Sequence, residues 1–189
     1  MVDTGVAGAR PGGGEEMSEE KQRDLVIEQI REKMRSDVNT VLVVDDELPV
    51  RLLVTSVIEA ANPTIQVRQA LDGQDALEQL AEIRASGKVD PLFIVTDLQM
   101  PNLDGWGLIE ALRKDYLSRG RRHGIPVIVL SASSGVKGPV FVRKSIEAGK
   151  CKYTPLAAVA KENCMDPSRY DAVGQKGLAA WVEYFLRCE

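Results

Sequence analysis

The chain has 189 residues and a net charge of -4, with 44% hydrophobic and 28% charged residues, the balance of a soluble globular domain with an extension at one or both ends. The acidic balance excludes a basic nucleic-acid-binding surface spread over the whole chain, and no apolar run approaches the roughly 20 residues that cross a bilayer. Neither nucleic acid nor membrane is therefore expected as a partner. Aromatics are only 5%, so Val, Leu, Ile and Ala must fill the core.

Residues 1–17 are Gly-rich and read as a disordered leader without the pattern of a secretion signal. Residues 18–37 read as an N-terminal helical extension. Ser18 stands as its cap and Leu25, Val26, Ile30 and Met34 form an apolar stripe. That stripe must pack on the domain or on a second copy, with a slight preference for a homodimer through residues 18–36.

From residue 40 the pattern alternates. Thr40–Val44 reads as a buried strand, 48–60 as a helix, Ile65–Gln69 as a strand and 73–85 as a helix. Leu92–Thr96 follows as a strand, 104–118 as a helix and Pro126–Leu130 as a strand. A helix over 139–148, a short fifth strand around 151–154 and a last helix over 176–187 complete the series. Strands alternating with helices imply parallel pairing and right-handed crossovers, hence an α/β, doubly wound five-stranded sheet with helices on both faces. Such folds place their sites at the carboxyl ends of the strands.

Asp45 and Asp46 follow the first strand, Asp97 the third and Ser131 the fourth. Three carboxylates on one rim repel strongly unless one is protonated or a cation lies between them. A hard divalent cation with oxygen ligands suits them, Mg²⁺ best. The three cysteines, Cys151, Cys164 and Cys188, are odd in number and crowded near the end. They read as a reduced set, which points to a cytoplasmic location.

The segments VLVVDDE (41–47), VTDLQMPNLDGWGLIEALR (95–113) and VIVLSAS (127–133) resemble the receiver domain of two-component response regulators. The most specific element is D-x-x-M-P-x-x-D-G, Asp97 to Gly105. The resemblance implies a flavodoxin-like sheet of strand order 2-1-3-4-5. It implies that Asp97 is the phosphoacceptor, served by a histidine kinase or phosphotransfer protein. It implies Mg²⁺ held by Asp45, Asp46, Asp97 and the backbone carbonyl of Gln99. It makes Ser131 the hydroxyl that bonds the phosphoryl oxygen and Ala132 the small residue beside it. Tyr153 falls on the family's switch aromatic.

The family's Lys-Pro pair after the fifth strand has no evident counterpart. Aligned on Ala148-Gly149, the lysine position falls on Leu156; aligned on Pro155, it falls on Thr154. Lys137 and Lys152 are the substitutes in reach. The expectation is a stand-alone receiver over 38–164, completed or extended by a C-terminal helical segment over 165–189. It is a phosphoacceptor and not an enzyme, with output through a downstream protein or a change of oligomeric state. The alternative is a pseudo-receiver scaffold that switches weakly because the lysine is missing.

Overall fold

The computed structural model describes residues 19–35, 38–87, 89–121, 124–131, 156–161, 164 and 177–186. Five strands, β1 (Thr40–Val44), β2 (Gln66–Ala70), β3 (Ile94–Asp97), β4 (Val127–Ser131) and β5 (Ala157–Ala160), form one sheet in the order β2-β1-β3-β4-β5. All neighbours pair in parallel. This is the flavodoxin-like order 2-1-3-4-5. The described helices are α1 (Glu19–Arg35), α2 (Leu48–Ala61), α3 (Gly73–Gly87), α4 (Gly105–Ser118) and α5 (Leu178–Leu186).

Strand alternation divides the interior into two layers. Val41, Val43, Val95, Ile128, Leu130 and Val159 face one side, where Val54 and Ile58 of α2 and Leu178 and Val182 of α5 cover them. Leu42, Val44, Ile94, Val127, Val129 and Ala158 face the other, under Ala76 and Leu80 of α3 and Leu108, Ile109 and Leu112 of α4. The central strands are apolar on both faces because both faces are covered. Trp181 belongs to this core. Cys164 is buried, and burial pushes its thiol up to about 12.

Two sequence expectations are corrected here. The strand at the β5 edge is Ala157–Ala160, not 151–154. Three of its four residues are alanines, which carry little strand propensity, so the run does not announce itself. In α1 the inward residues are Ile27 and Ile30, with Val26 and Met34 half-buried, while Leu25 points outward at 52% exposure. The stripe packs within the chain, against the layer that contains α5. The Arg31 guanidinium donates to the Tyr184 carbonyl at 3.0 Å and lies 5.3 Å over the Tyr184 ring centre. Ile27 and Ile30 are thus used within the chain, while Leu25 stays at the surface. The leader, the 139–148 helix, Ala132, Lys137, Lys152, Tyr153 and Thr154 lie outside the described residues, as does the side chain of Ser131.

Candidate functional site

The strand ends assemble the rim. Asp45 directly follows β1, Asp97 ends β3, Ser131 ends β4 and Lys161 directly follows β5. Register explains the convergence: Val44 pairs with Thr96, Asp97 with Leu130, and Ser131 with Ala160.

Carboxylate oxygens of Asp45, Asp46 and Asp97 all lie within 4.8 Å of one another. Asp45 and Asp97 are buried while Asp46 is exposed. The Asp45 side chain accepts from Glu47 N at 2.9 Å, and Asp97 Oδ1 accepts from Leu98 N at 2.6 Å. Lys161 Nζ then closes the cluster. It lies 2.9 Å from Asp45 Oδ2, 3.0 Å from Asp97 Oδ2 and 3.0 Å from Glu47 Oε1. Burial works against its positive charge, but the hydrogen bonds to Asp45, Asp97 and Glu47 outweigh that and hold its pKa above the usual lysine range. Burial pushes the Asp45 carboxyl up, against the opposing pull of Lys161.

Lys161 fills the position that the sequence reading left empty. Leu156 does not. It precedes β5, and its N–H donates to the Val127 carbonyl at 2.7 Å, at the amino end of β4. The signal was present in the sequence as a lysine directly after an apolar run, Ala157-Ala158-Val159-Ala160-Lys161. Anchoring on Pro155 placed the strand too early.

A second residue was also missed. Arg51 of α2 is buried, and its Nη1 donates to the carbonyls of Asp45 at 2.8 Å and Asp46 at 3.2 Å. It fixes the backbone that carries both acids and adds a positive charge beneath them.

The loop after β3 is held from two sides. Gly105 N donates to the Leu98 carbonyl at 3.2 Å, and a Cβ at Gly105 would collide with the Asp97 carbonyl oxygen and stand 2.9 Å from Leu98 Cα. No other residue tolerates that approach. Asn102 adopts a left-handed backbone (φ 56°), and its amide donates to Asp72 Oδ2 at 2.5 Å. Gly73 N donates to the Leu103 carbonyl at 2.8 Å, so the first turn of α3 anchors the loop. Asp104 caps α4 by accepting from Gly107 N at 2.7 Å. Beside Asp46 a cavity of about 460 Å³ opens, lined by Leu98, Gln99, Met100, Pro101, Asp104 and Trp106.

A parallel α/β sheet with an acidic rim, a lysine bridging two of the acids and an open cavity beside them defines a phosphoacceptor-type α/β signalling domain. The response regulator receiver domain profile matches residues 41–152, and the chain belongs to that family. Curated relatives include a protein-glutamate methylesterase/protein-glutamine glutaminase of Nocardioides sp., 32% identical over 119 residues, which are 62% of this chain and 29% of that protein. One from Koribacter versatilis is 36% identical over 117 residues, 61% of this chain and 28% of that protein. The matched stretch thus spans under a third of the length of these relatives. Among solved structures, the receiver domain of the histidine kinase CKI1 from Arabidopsis thaliana complexed with Mg²⁺ is similar, at 30% identity and a TM-score of 0.48, covering 66% of this chain and 83% of that one. No described helix is long and apolar enough to cross a membrane.

Proposed function

We propose that residues 38–164 form a receiver in which Asp97 accepts a phosphoryl group from a histidine kinase or phosphotransfer protein. A carboxylate oxygen of Asp97 attacks phosphorus, the phosphorus–nitrogen bond of the donor phosphohistidine breaks, and an acyl phosphate forms. The observation that carries the reading is the contact of Lys161 Nζ with Asp97 Oδ2 at 3.0 Å inside the acidic cluster. On this reading the lysine pairs with the transferred group.

The donor set fits Mg²⁺. Oxygens of Asp45, Asp46 and Asp97 lie within 4.8 Å of one another, and Lys161 is the cation that meets Asp45, Glu47 and Asp97 among the described residues. Asp46 and Asp97 would bind the ion directly, Asp45 mainly through water, and the Gln99 carbonyl would complete the protein ligands. When bound, the ion neutralises charge on the phosphoryl oxygens. This chain's own part is positioning. Leu98 N orients the Asp97 carboxylate, Arg51 holds the Asp45-Asp46 backbone, and Lys161 supplies a fixed positive charge. Ser131, with Ala132 and Tyr153, would report the phosphoryl group to a downstream protein in the cytoplasm or to a change of oligomeric state.

Incubation with acetyl phosphate and magnesium should add one phosphoryl group by intact mass, and Asp97→Asn should abolish it. Phosphorylation of the Asn variant would move the site elsewhere.

A further inference from the structure

At the opposite end of the sheet a second cavity of about 460 Å³ opens, where Val38, Val89 with Asp90, and Arg121 lead into β1, β3 and β4. Lys33 of α1, Arg84 of α3, Arg119 and Arg121 line it, and Asp90 is the carboxylate among the lining residues. Arg84 Nε meets Asp90 at 2.7 Å and its Nη1 meets Asp115 at 3.0 Å. Arg119 also meets Asp115 at 3.0 Å, and Arg121 approaches Asp90 at 3.8 Å. Two carboxylates are therefore shared among three guanidinium groups.

Two donors are left over. Arg84 Nη2 is buried with no hydrogen-bond partner among the described residues. Lys33 has no carboxylate within ion-pair distance among the described residues. Burial holds the Lys33 pKa below the usual lysine range, with Asp90 opposing and Arg121 adding to the depression. Buried donors of this kind are ordinarily satisfied. The surplus charge asks for an anion, and the volume falls in the range of small-molecule sites.

We propose that this cavity binds a small dianionic ligand of the phosphate or pyrophosphate type, held by Lys33, Arg84 and Arg121 against Val38 and Val89. One wall belongs to α1, which lies outside the 41–152 stretch matched by the family profile. The site is accordingly a property of this chain and not of receivers in general, and it sits a strand's length from Asp97.

The test uses the full chain carrying Asp97→Asn, in low-salt buffer without divalent cations, so that the acidic rim takes no part. Inorganic phosphate and pyrophosphate are titrated by calorimetry and by NMR of the lysine and arginine side chains. Saturable one-site binding is expected, with shifts at Lys33 and Arg84. Lys33→Gln and Arg121→Gln should each weaken it about tenfold, the loss of one charge-assisted hydrogen bond, and Lys33→Arg should retain it. Arg121 is largely exposed, so its variant carries the test even if Lys33→Gln misfolds. Absence of saturable binding, or unchanged affinity in Arg121→Gln, overturns the proposal. A glutamate-rich peptide that binds more tightly than pyrophosphate also overturns it, in favour of a protein-docking surface.

Discussion

Lys161 Nζ stands 3.0 Å from Asp97 Oδ2 although 64 positions separate them in the chain (161 against 97). The same ammonium reaches Asp45 at 2.9 Å, so one cation holds two buried carboxylates from different strands. Lys161→Met should leave those carboxylates facing each other unpaired. Breaking a fully buried ion pair costs about 3–5 kcal/mol; Lys161 retains some exposure, so about 2–4 kcal/mol is expected. Thermal melting in metal-free buffer should show that loss, and excess magnesium should recover part of it. A variant that melts like the parent without metal would show that the bridge contributes nothing to stability.

Gly105 is fixed by backbone proximity. Gly105→Ala should destabilise by about 1–3 kcal/mol through overpacking, because the obstacle is the Asp97 carbonyl, which cannot move without disturbing the site. Gly107→Ala meets chiefly the end of the Leu103 side chain and should cost less. Urea unfolding of the two variants, with acetyl-phosphate labelling of each, separates the outcomes. Equal costs would mean that the close approach at Gly105 is not decisive.

Asp72 couples α3 to the loop after β3. Its Oδ1 accepts from Gln74 N at 2.8 Å and Asp75 N at 2.9 Å, and its Oδ2 from Asn102. The Asn102 bond first, then the backbone bonds, hold its carboxyl below the usual range. A carboxylate depressed in the folded state adds stability above its unfolded value, about 3.9, and loses it as pH falls through the folded value. Asp72→Ala should therefore cost about 1 kcal/mol at neutral pH, the usual worth of a cap. The gap to the parent should narrow on acidification below about pH 3.9. Urea midpoints at neutral and acid pH check the sign, and a gap that widens toward acid would contradict it.

The corrected stripe of α1 makes its own prediction. Ile30 is buried among the side chains of the core layer that contains α5, so Ile30→Ala should cost about 2–5 kcal/mol. Leu25→Ala, on the outward face, should stay within about 0.5 kcal/mol. Similar costs for the two in denaturant melts would restore the sequence-based stripe.

Much of the architecture was legible without coordinates because periodicity is local. TVLVV and PVIVL read as doubly covered strands, and helical spacing marked α2, α3 and α4, with ends displaced by a residue or two. Asp45, Asp46 and Asp97 were legible as well, since a parallel α/β sheet brings the carboxyl ends of its strands to one rim. The assembled sheet decided the rest. An edge strand rich in alanine carries no branched or aromatic signature, and the connection between β4 and β5 gives no local measure of its length. Only the pairing of Ser131 with Ala160 puts Lys161 level with Asp97. Arg51 was invisible for the same reason: its bonds run to backbone carbonyls, which no side-chain pattern records. The inward turn of Ile27 over Leu25 depended on how α1 is rotated against the core, and a lone amphipathic helix does not contain that information.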